Sequence, residues 1–366
     1  MRKPPTINDV AGALGMHTST VSLALSGKGT ISAHTRQKVL TVARDMGYQP
    51  NALAQQLARG RDHQMVGLVS GVLDVGLATE KILRIQRALI DQAREAPIYN
   101  CAEPSREAEH SPADQLRHLC RLRPQAIICT ASQLDTAVFE ELESYQRAGG
   151  IVVSYDDPVP LACDQVIFDR EDNGYKGARH LLDQGHRRIG IGIASTAEWL
   201  PGAARLTATR RLAGCRRALE AFGVPMPEEW LFRASAYEKG GAEMARRFLQ
   251  LSDRPTGMCI INDYSAMAFL VEVMRAGVRV PEDVSIVSHD NQPVAAYCVV
   301  PLTSVSHPVT TIVDAVIELV VSRLEGRYDG EPRQVVVRGD LETRASTAPP
   351  AQHETRVGLA SPTKEN

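Results

Sequence analysis

The pattern of apolar and polar positions divides the chain into a short helical start and a long alternating remainder. Within residues 6–48, apolar side chains recur at helical spacing in three short segments. The first follows a Thr6 N-cap, the second is predicted over residues 18–25, and the third begins at a Ser32 cap and ends at Gly47. Two short helices joined by a tight turn, followed by a supporting helix, are typical of a helix-turn-helix domain.

From residue 65 onward, short β-rich apolar runs alternate with helical patterns. Such alternation predicts parallel sheets covered by helices on both faces, which is the α/β class. The stretch is too long for one open sheet, so we expect two Rossmann-like lobes, with the last two short strands, near residues 302–306 and 334–338, crossing between them. The other predicted strands lie at residues 65–70, 98–101, 126–130, 151–155, 165–169, 188–193, 257–261 and 284–288.

These patterns give a domain plan. We predict an all-α helix-turn-helix head over residues 1–49, a hinge helix and linker over residues 50–62, and a two-lobed body over residues 63–345. The hinge helix is too short to be stable alone in water. Residues 346–366 lack periodicity and are rich in Pro, Ser, Thr and Ala, so a disordered tail without an oligomerisation zipper is expected there.

Composition limits the class of protein. Of the 366 residues, 43% are hydrophobic and 23% are charged, which excludes a largely disordered or fibrous chain. No apolar run approaches the roughly 20 residues of a membrane span, and the basic N-terminus leads into no apolar signal segment. The 7 cysteines form no Cys-x-x-Cys pair, which favours buried thiols in a reducing cytoplasm.

Charge is unevenly distributed. Residues 1–61 carry eight basic and two acidic side chains, a net charge of +6, and the remainder carries 33 basic and 41 acidic ones, a net charge of −8. A small basic module on an acidic body suggests a polyanion-binding head, although a window of this length can also reach such a charge by chance. We find no nucleophile elbow, zinc-protease motif or phosphate loop, and we expect no catalytic residues, cofactor or metal.

The predicted second helix carries the clearest signal of nucleic-acid binding. His17, Thr18, Ser19, Thr20 and Ser22 place small hydroxyl groups at a helix start after a tight turn. Such a helix end can enter a major groove and bond base edges and phosphates, although the same residues could serve only as caps.

Several segments together resemble the lactose/galactose repressor family of bacterial helix-turn-helix transcriptional regulators. The resemblance runs in family order from about residue 5 to residue 345. In the head and linker it rests on residues 6–11 (TINDVA), 20–22 (TVS), 35–36 (TR), 46–52 (MGYQPNA) and 54–58 (AQQLA). In the body it rests on residues 185–190 (GHRRIG), 211–214 (RLAG), 261–263 (IND), 280–287 (VPEDVSIV) and 301–303 (PLT).

The resemblance implies a homodimeric repressor that binds a palindromic operator in double-stranded DNA. The base-reading positions of the family fall on Thr18, Ser19 and Leu23, and Leu23 departs from the arginine of some members, so only apolar contact is expected there. Phosphate contacts carry over to Thr6, Thr20, Ser22, Tyr48 and Asn51. In the hinge helix, Leu57 is expected to wedge between base pairs, and Ala54 is small enough for two such helices to pack in the minor groove.

The resemblance also implies a body like a periplasmic sugar-binding protein, with a small polar effector in the cleft between the lobes. The effector-contacting positions fall on Asp156, Arg211, Asn262 and Asp290, each of which could instead be a surface residue or a strand-end cap. Two departures leave the ligand class open between a sugar or sugar derivative and a nucleobase or nucleoside. Ala236, next to Tyr237, replaces a stacking aromatic residue, and Ser288-His289 precedes Asp290 in place of Gly-Tyr/Phe.

Two other functions remain as alternatives. A small-molecule binding protein without a DNA role would fit the body alone, but it is opposed by the head and by the lack of a signal segment. A sugar-processing enzyme is opposed by the lack of an acid, base or nucleophile arrangement in the expected cleft.

Overall fold

The computed structural model describes residues 5–26, 31–48, 64–71, 76–101, 111–130, 134, 136–194, 203–235 and 237–351. For residues 26 and 203–208 it describes the backbone of a helix and not the side chains. The chain divides into two compact units, Met1–Gln64 and Met65–Asn366. Here we call the first unit the head and the second unit the body.

The head consists of three helices around a small apolar core. They are α1 (Ile7–Leu14), α2 (Thr18–Ser26) and α3 (Ala33–Asp45). Thr6 and Asp9 form a capping box at the start of α1, and Gly15 ends that helix at a φ of 62°, a conformation that costs glycine little. The Ser32 hydroxyl accepts a hydrogen bond from the Thr35 amide at 3.1 Å at the start of α3. The three predicted helices and both predicted caps are therefore confirmed.

The body contains two six-stranded sheets. The first sheet has the order β11-β5-β4-β3-β1-β2 and is entirely parallel. Its strands are β1 (Val66–Ser70), β2 (Ile98–Asn100), β3 (Ala126–Thr130), β4 (Ile151–Asp156), β5 (Asp164–Phe168) and β11 (Gln334–Val337). Its helices are α4 (Gly76–Asp91), α5 (Pro112–Arg121), α6 (Thr136–Arg147) and α12 (Val309–Leu324).

The second sheet has the order β12-β10-β9-β8-β6-β7, and only its edge strand β12 is antiparallel. Its strands are β6 (Ile189–Ala194), β7 (Leu231–Ala234), β8 (Gly257–Ile260), β9 (Ser285–Asp290), β10 (Thr303–Ser306) and β12 (Leu341–Glu342). The helices of this lobe are α7 (Arg170–Asp183), α8 (Ala203–Ala221), α9 (Tyr237–Gln250), α10 (Asp263–Arg275) and α11 (Pro293–Tyr297). A 3₁₀ turn, Glu228–Trp230, precedes β7.

Each sheet is covered by apolar side chains on both faces, as continuous apolar strands require. On the first sheet, one core contains Leu68, Ile85 and Ile312, and the other contains Ile127, Leu116 and Leu142. Two further cores cover the second sheet. The predicted two-lobed α/β architecture is confirmed. Strands β7 and β12 were not predicted.

The chain passes between the lobes three times. Asp169 joins β5 to α7, residues 307–308 join β10 to α12, and residues 338–340 join β11 to β12. The two late strands expected to cross between the lobes, β10 and β11, lie in different sheets. The segments that follow them make the second and third crossings. No described helix is both long enough and apolar enough to span a membrane.

The prediction of disorder from residue 346 is wrong for residues 346–351. Ser346 is fully buried, and its hydroxyl accepts from the Thr303 amide at 2.8 Å and donates to the Ile286 carbonyl at 2.6 Å. The Ala348 amide donates to the Ser285 hydroxyl at 3.0 Å. These hydrogen bonds satisfy backbone groups of the second sheet, a role that residue composition does not indicate. Residues 352–366 lie outside the described part of the chain.

A truncation series tests this attachment. A chain ending at residue 345 should lose about 2–4 kcal/mol of unfolding free energy, because several buried hydrogen bonds worth roughly 1 kcal/mol each disappear. A chain ending at residue 351 keeps these bonds and should match the full-length protein. Urea unfolding followed by circular dichroism measures the difference. Equal stability of the two truncated chains would contradict the assignment.

Candidate functional site

Helix α2 of the head presents one buried and one exposed side. Val21 and Ala24 are buried in the head core. Thr18, Ser19 and Ser22 are exposed, together with Leu23 at 44%. A row of small hydroxyl side chains with one apolar residue therefore lies on the surface of a helix whose opposite side is fixed by packing.

The other predicted DNA contacts differ in accessibility. His17 is exposed, and its carbonyl accepts the Val21 amide at 3.1 Å, whereas Thr20 is half-buried. The Thr6 hydroxyl accepts from the Asp9 amide at 3.4 Å as a helix cap and donates to Asp9 Oδ2 at 2.7 Å, and it is also a candidate phosphate contact. Tyr48 packs against the head core, and burial raises its pKa. Three further predicted contacts lie outside the described residues: Asn51, Ala54 and Leu57.

Three of the four predicted effector residues lie in the second lobe, near the carboxyl ends of its strands. Arg211 on α8 donates through Nη2 to Asp290 Oδ1 at 3.3 Å and through Nη1 to the Ile261 carbonyl. Asn262 is the N-cap of α10, where its Oδ1 accepts from the Ser265 amide at 2.8 Å. The structure therefore brings Arg211 and Asp290 together. The oxygen of Asn262 is engaged as a cap, which was the alternative role considered for it.

The fourth predicted residue, Asp156, ends β4 in the first lobe. It is 3% exposed and forms an ion pair with the Lys81 ammonium, and its Oδ1 lies 3.4 Å from His307 Nε2. Burial alone would raise the pKa of Asp156, but the charge of Lys81 opposes burial, and the pKa lies below the usual range. Asp156 is therefore an ionised, internally paired carboxylate near the crossing at residues 307–308.

Several of these residues have an unusual backbone conformation. Asp156, Tyr237, Asp290 and Asn291 have positive φ angles of 79°, 57°, 98° and 50°. All four lie at or just after the carboxyl ends of parallel strands, where open α/β sheets bind their ligands. Strained residues persist only where their surroundings hold them, and they concentrate at functional sites.

Ser288 and His289, which depart from the family pattern just before Asp290, each contact a neighbouring segment of the second lobe. The Ser288 hydroxyl donates to Asp263 Oδ1, and His289 Nδ1 lies 2.8 Å from the Ile260 carbonyl. Burial raises the pKa of Asp263 to about 7, with a further contribution from Asp290. Burial, followed by the charge of Arg211, lowers the pKa of His289 to about 3, so its ring is neutral. Both side chains hold β9 to its neighbours.

An aromatic pair lies near Asn262. The rings of Tyr237 and Tyr264 meet edge to face, with centroids 6.5 Å apart, and Tyr237 is 37% exposed. Ala236, the departure noted in the sequence, lies outside the described residues. Tyr264 was not predicted, although its place two residues after Asn262 puts it in the first turn of α10, the helix that follows β8.

Lys81 and the Arg170–Asp157 pair were also missed. Lys81 occupies the apolar stripe of α4 at four-residue spacing from Leu77 and Ile85, and a lysine in such a stripe was the available signal. Arg170 Nε donates to Asp157 Oδ1 at 3.0 Å, and both residues are buried. Three buried cations therefore face three carboxylates around the crossings: Lys81, Arg170 and Arg211 against Asp156, Asp157 and Asp290.

Among the described residues, no group of three His, Cys, Asp or Glu side chains is arranged to hold a metal ion. The seven cysteines are free thiols, and burial raises the pKa of several, including Cys129 and Cys163.

Comparison with known proteins follows the same division into head and body. Residues 6–51 match the family model of bacterial regulatory proteins, lacI family, and residues 178–347 match the periplasmic binding protein-like domain. The chain is 26% identical over 348 residues to the HTH-type transcriptional repressor PurR of Photobacterium profundum, covering 93% of this chain and 98% of the relative. It is 26% identical over 344 residues to PurR of Escherichia coli, covering 94% and 97%.

Solved structures share the fold. The lac repressor dimer bound to operator and the anti-inducer ONPF has a TM-score of 0.77 at 22% identity, with 94% of this chain and 100% of that chain covered. The complex of the transcriptional regulator CelR with cellobiose has a TM-score of 0.66 at 23% identity, with 93% and 99% covered.

A helix-turn-helix head on a two-lobed body of the periplasmic-binding type defines a class of ligand-responsive DNA-binding proteins. The chain combines a helix-turn-helix domain of the lacI family of bacterial regulatory proteins with a periplasmic binding protein-like domain, and its relatives include the PurR repressors. It is a DNA-binding transcriptional regulator and not an enzyme.

The buried imidazole of His307 gives a pH prediction. Burial, followed by the charge of Lys81, lowers its pKa from 6.5 to about 4. Between pH 6.5 and pH 4 the unfolded chain binds a proton at this imidazole and the folded chain does not. The free energy of unfolding therefore decreases as the pH falls through this range.

His307→Gln keeps an acceptor for Lys81 but cannot titrate. Between pH 6.5 and pH 4 this variant should lose about 3 kcal/mol less unfolding free energy than the unmodified protein. Urea unfolding across this pH range measures the loss, with the exposed His118→Gln as control. A variant that loses as much stability as the unmodified protein would refute the proposed state of His307.

Proposed function

We propose that this protein is a repressor that binds a palindromic operator as a homodimer and is controlled by a small polar effector between the lobes of the body. The proposed division is a head at residues 1–49, a hinge at residues 50–62 and a body from residue 63 to residue 351, and the proposed location of the protein is the cytoplasm. The observation that carries the proposal is the exposed hydroxyl-bearing side of α2 on a head that matches the lacI family.

The chemistry of the head supports DNA recognition. Thr18 and Ser19 begin α2, where exposed hydroxyls and helix amides can bond bases and phosphates. Leu23 would offer apolar contact, for instance to a thymine methyl group, where an arginine would select guanine. We propose phosphate contacts at Thr6, Thr20, Ser22, Tyr48 and Asn51, with His17 beside them.

The hinge is proposed from the sequence alone. A leucine at position 57 can unstack a base step, and a small residue at position 54 permits two hinge helices to pack together. A marginal helix that is stable only when paired on DNA would make operator binding depend on the spacing of the two bodies.

Exposed apolar residues of the body support a dimer. On α4, Leu83 is 50% exposed and Ile90 is 55% exposed, seven residues apart on one side of the helix. Around the end of α11, Tyr297 is 87% exposed and Val299 is 77% exposed. Exposed large apolar side chains grouped in this way mark protein contact surfaces. A homodimer that covers both groups would present two heads to a two-fold symmetric operator.

The proposed effector site consists of Asp156, Arg211, Asn262 and Asp290. Arg211 and Asp290 offer donor and acceptor groups from the second lobe, and Asp156 lies in the first. The cations and carboxylates balance, and the Tyr237–Tyr264 pair offers an apolar face. A neutral ligand with several hydroxyls fits this chemistry, so a sugar or sugar derivative is the first candidate class. Cellobiose in the related CelR complex supports the same class.

A small-molecule binding protein without a DNA role is the second candidate. It accounts for the body but leaves the basic head and its exposed helix side without a purpose. DNA binding therefore separates the two proposals.

Selection of duplexes from a random library tests the proposal. The full chain should enrich two inverted half-sites protected by one dimer, because a two-fold symmetric protein reads two-fold symmetric DNA. Ser19→Ala and Leu57→Ala should each weaken binding to the selected duplex at least about tenfold, since a base contact or a wedge is worth a few kcal/mol.

Exposed Ser144 in α6 of the body provides a control, and Ser144→Ala should bind like the unmodified protein. Footprinting and sedimentation measure protection and stoichiometry. A single asymmetric half-site bound by a monomer, or unchanged affinity in both head and hinge variants, would reject the proposal.

A further inference from the structure

Two consecutive aspartates at the end of β4 each hold a buried cation that comes from another part of the body. Asp156 holds Lys81 of α4, and Asp157 holds Arg170 at the start of α7. The four residues are between 1% and 8% exposed. Buried charges of this kind are costly to desolvate, so their grouping at one strand end requires a reason beyond stability.

The first pair includes the second crossing. Lys81 Nζ lies 3.0 Å from His307 Nε2, in addition to its ion pair with Asp156. The His307 ring contacts the Phe168 ring at an interplanar angle of 46°, with centroids 4.1 Å apart, and the His307 amide donates to the Asp290 carbonyl at 3.2 Å. The side chains therefore connect α4 of the first lobe to the backbone of Asp290 in the second lobe.

The second pair includes the first crossing. Arg170 is the first residue of α7, a helix of the second lobe, but its side chain extends back to Asp157 of the first lobe. Its guanidinium group also lies 5.4 Å from the centroid of the Phe168 ring. Phe168 thus lies between the two crossings, in contact with the cation of one and the imidazole of the other.

The third crossing is held differently. Arg338 pairs with Asp169 at 3.1 Å with 60% of the Arg338 side chain exposed, and Lys176 donates to the Gly339 carbonyl at 2.6 Å. Exposed pairs contribute little to stability. The buried charges are therefore concentrated on the first two crossings.

We propose that Lys81, Asp156, Asp157, Arg170 and His307, the crossing cluster, are positioning residues that fix the path of the first two crossings and thereby the angle between the lobes. Lys81 lies on the same helix as exposed Leu83 and Ile90, so a change at the crossings reaches this surface through one rigid element. This positioning role depends only on the two-lobed body and requires neither DNA nor effector.

The test replaces one buried pair by neutral side chains of similar size. Asp157→Asn combined with Arg170→Gln removes both charges and leaves no unpaired ion in the interior. The matched control combines Asp183→Asn with Arg179→Gln, which removes the same two residue types from an exposed pair on the same helix, α7. Hydrogen exchange of the full chain, resolved by mass spectrometry, is the measurement.

Amides at the crossings report on the cluster. Asp169 donates to the Val337 carbonyl at 2.9 Å, Ser306 to Asp340 at 2.8 Å and His307 to Asp290 at 3.2 Å. In the neutral-pair variant these segments should exchange at least tenfold faster, while the central strands β3 and β8 exchange as in the unmodified protein. The control pair should change neither group of amides.

Two results would overturn the proposal. Equal acceleration of exchange at the crossings and in the central strands would mean that the Asp157–Arg170 pair supports only overall stability. Unchanged exchange at the crossings would mean that the pair does not fix their path. If the neutral pair does not fold, Arg170→Lys keeps the charge and loses the planar donor group, and the same selective acceleration is expected. Its absence in that variant would equally refute the proposal.

Discussion

The body depends on the pairing of buried charges where the chain passes between its two sheets. Three cations, Lys81, Arg170 and Arg211, would be unstable in this interior without the carboxylates that face them. Each lobe has its own apolar cores, so packing alone leaves the angle between the lobes weakly defined. Ion pairs have specific geometry, and they can select one arrangement of segments that apolar contacts would tolerate in several.

The same charges determine which hydrogen bonds a ligand must replace in the proposed effector site. Arg211 is bonded to Asp290 and to the Ile261 carbonyl, and Asp156 is bonded to Lys81, whereas Asp156 Oδ1 and Arg211 Nε have no hydrogen-bond partner among the described residues. A ligand that enters must offer hydrogen bonds at least as good as those it displaces. Such a ligand can shift the population between two lobe arrangements only to the extent that it binds one arrangement more tightly than the other.

Sequence periodicity predicted most of the fold because strands and helices are local features. The parallel α/β architecture follows from continuous apolar runs, and the caps at Thr6 and Ser32 follow from residue type. Strand β7 was missed because its four residues directly follow a 3₁₀ turn and form too short a run to stand out. The attachment of Ser346 was missed because hydrogen bonding to distant backbone groups leaves no pattern in composition.

The candidate site was predictable only in part. Arg211 and Asp290 are 79 residues apart, and the family resemblance, not spacing, brought them together. Lys81 and Asp156 are 75 residues apart, and Lys81 and His307 are 226 apart, so nothing local indicates that they meet. At 26% identity to its PurR relatives the chain retains the family's architecture, while departures such as Ser288-His289 are accommodated by new internal partners.

We propose that a ligand bound between the lobes controls the affinity of the head for DNA. A panel of sugars, sugar phosphates and nucleobases identifies a ligand by thermal stabilisation, which reaches about 2.7 kcal/mol at 100 times Kd. The affinity of the chain for its selected duplex is then measured with and without that ligand, in the unmodified protein and in Asp290→Ala. If this proposal is correct, the ligand changes duplex affinity in the unmodified protein, and Asp290→Ala binds the duplex normally but does not respond. A variant that responds like the unmodified protein would contradict it.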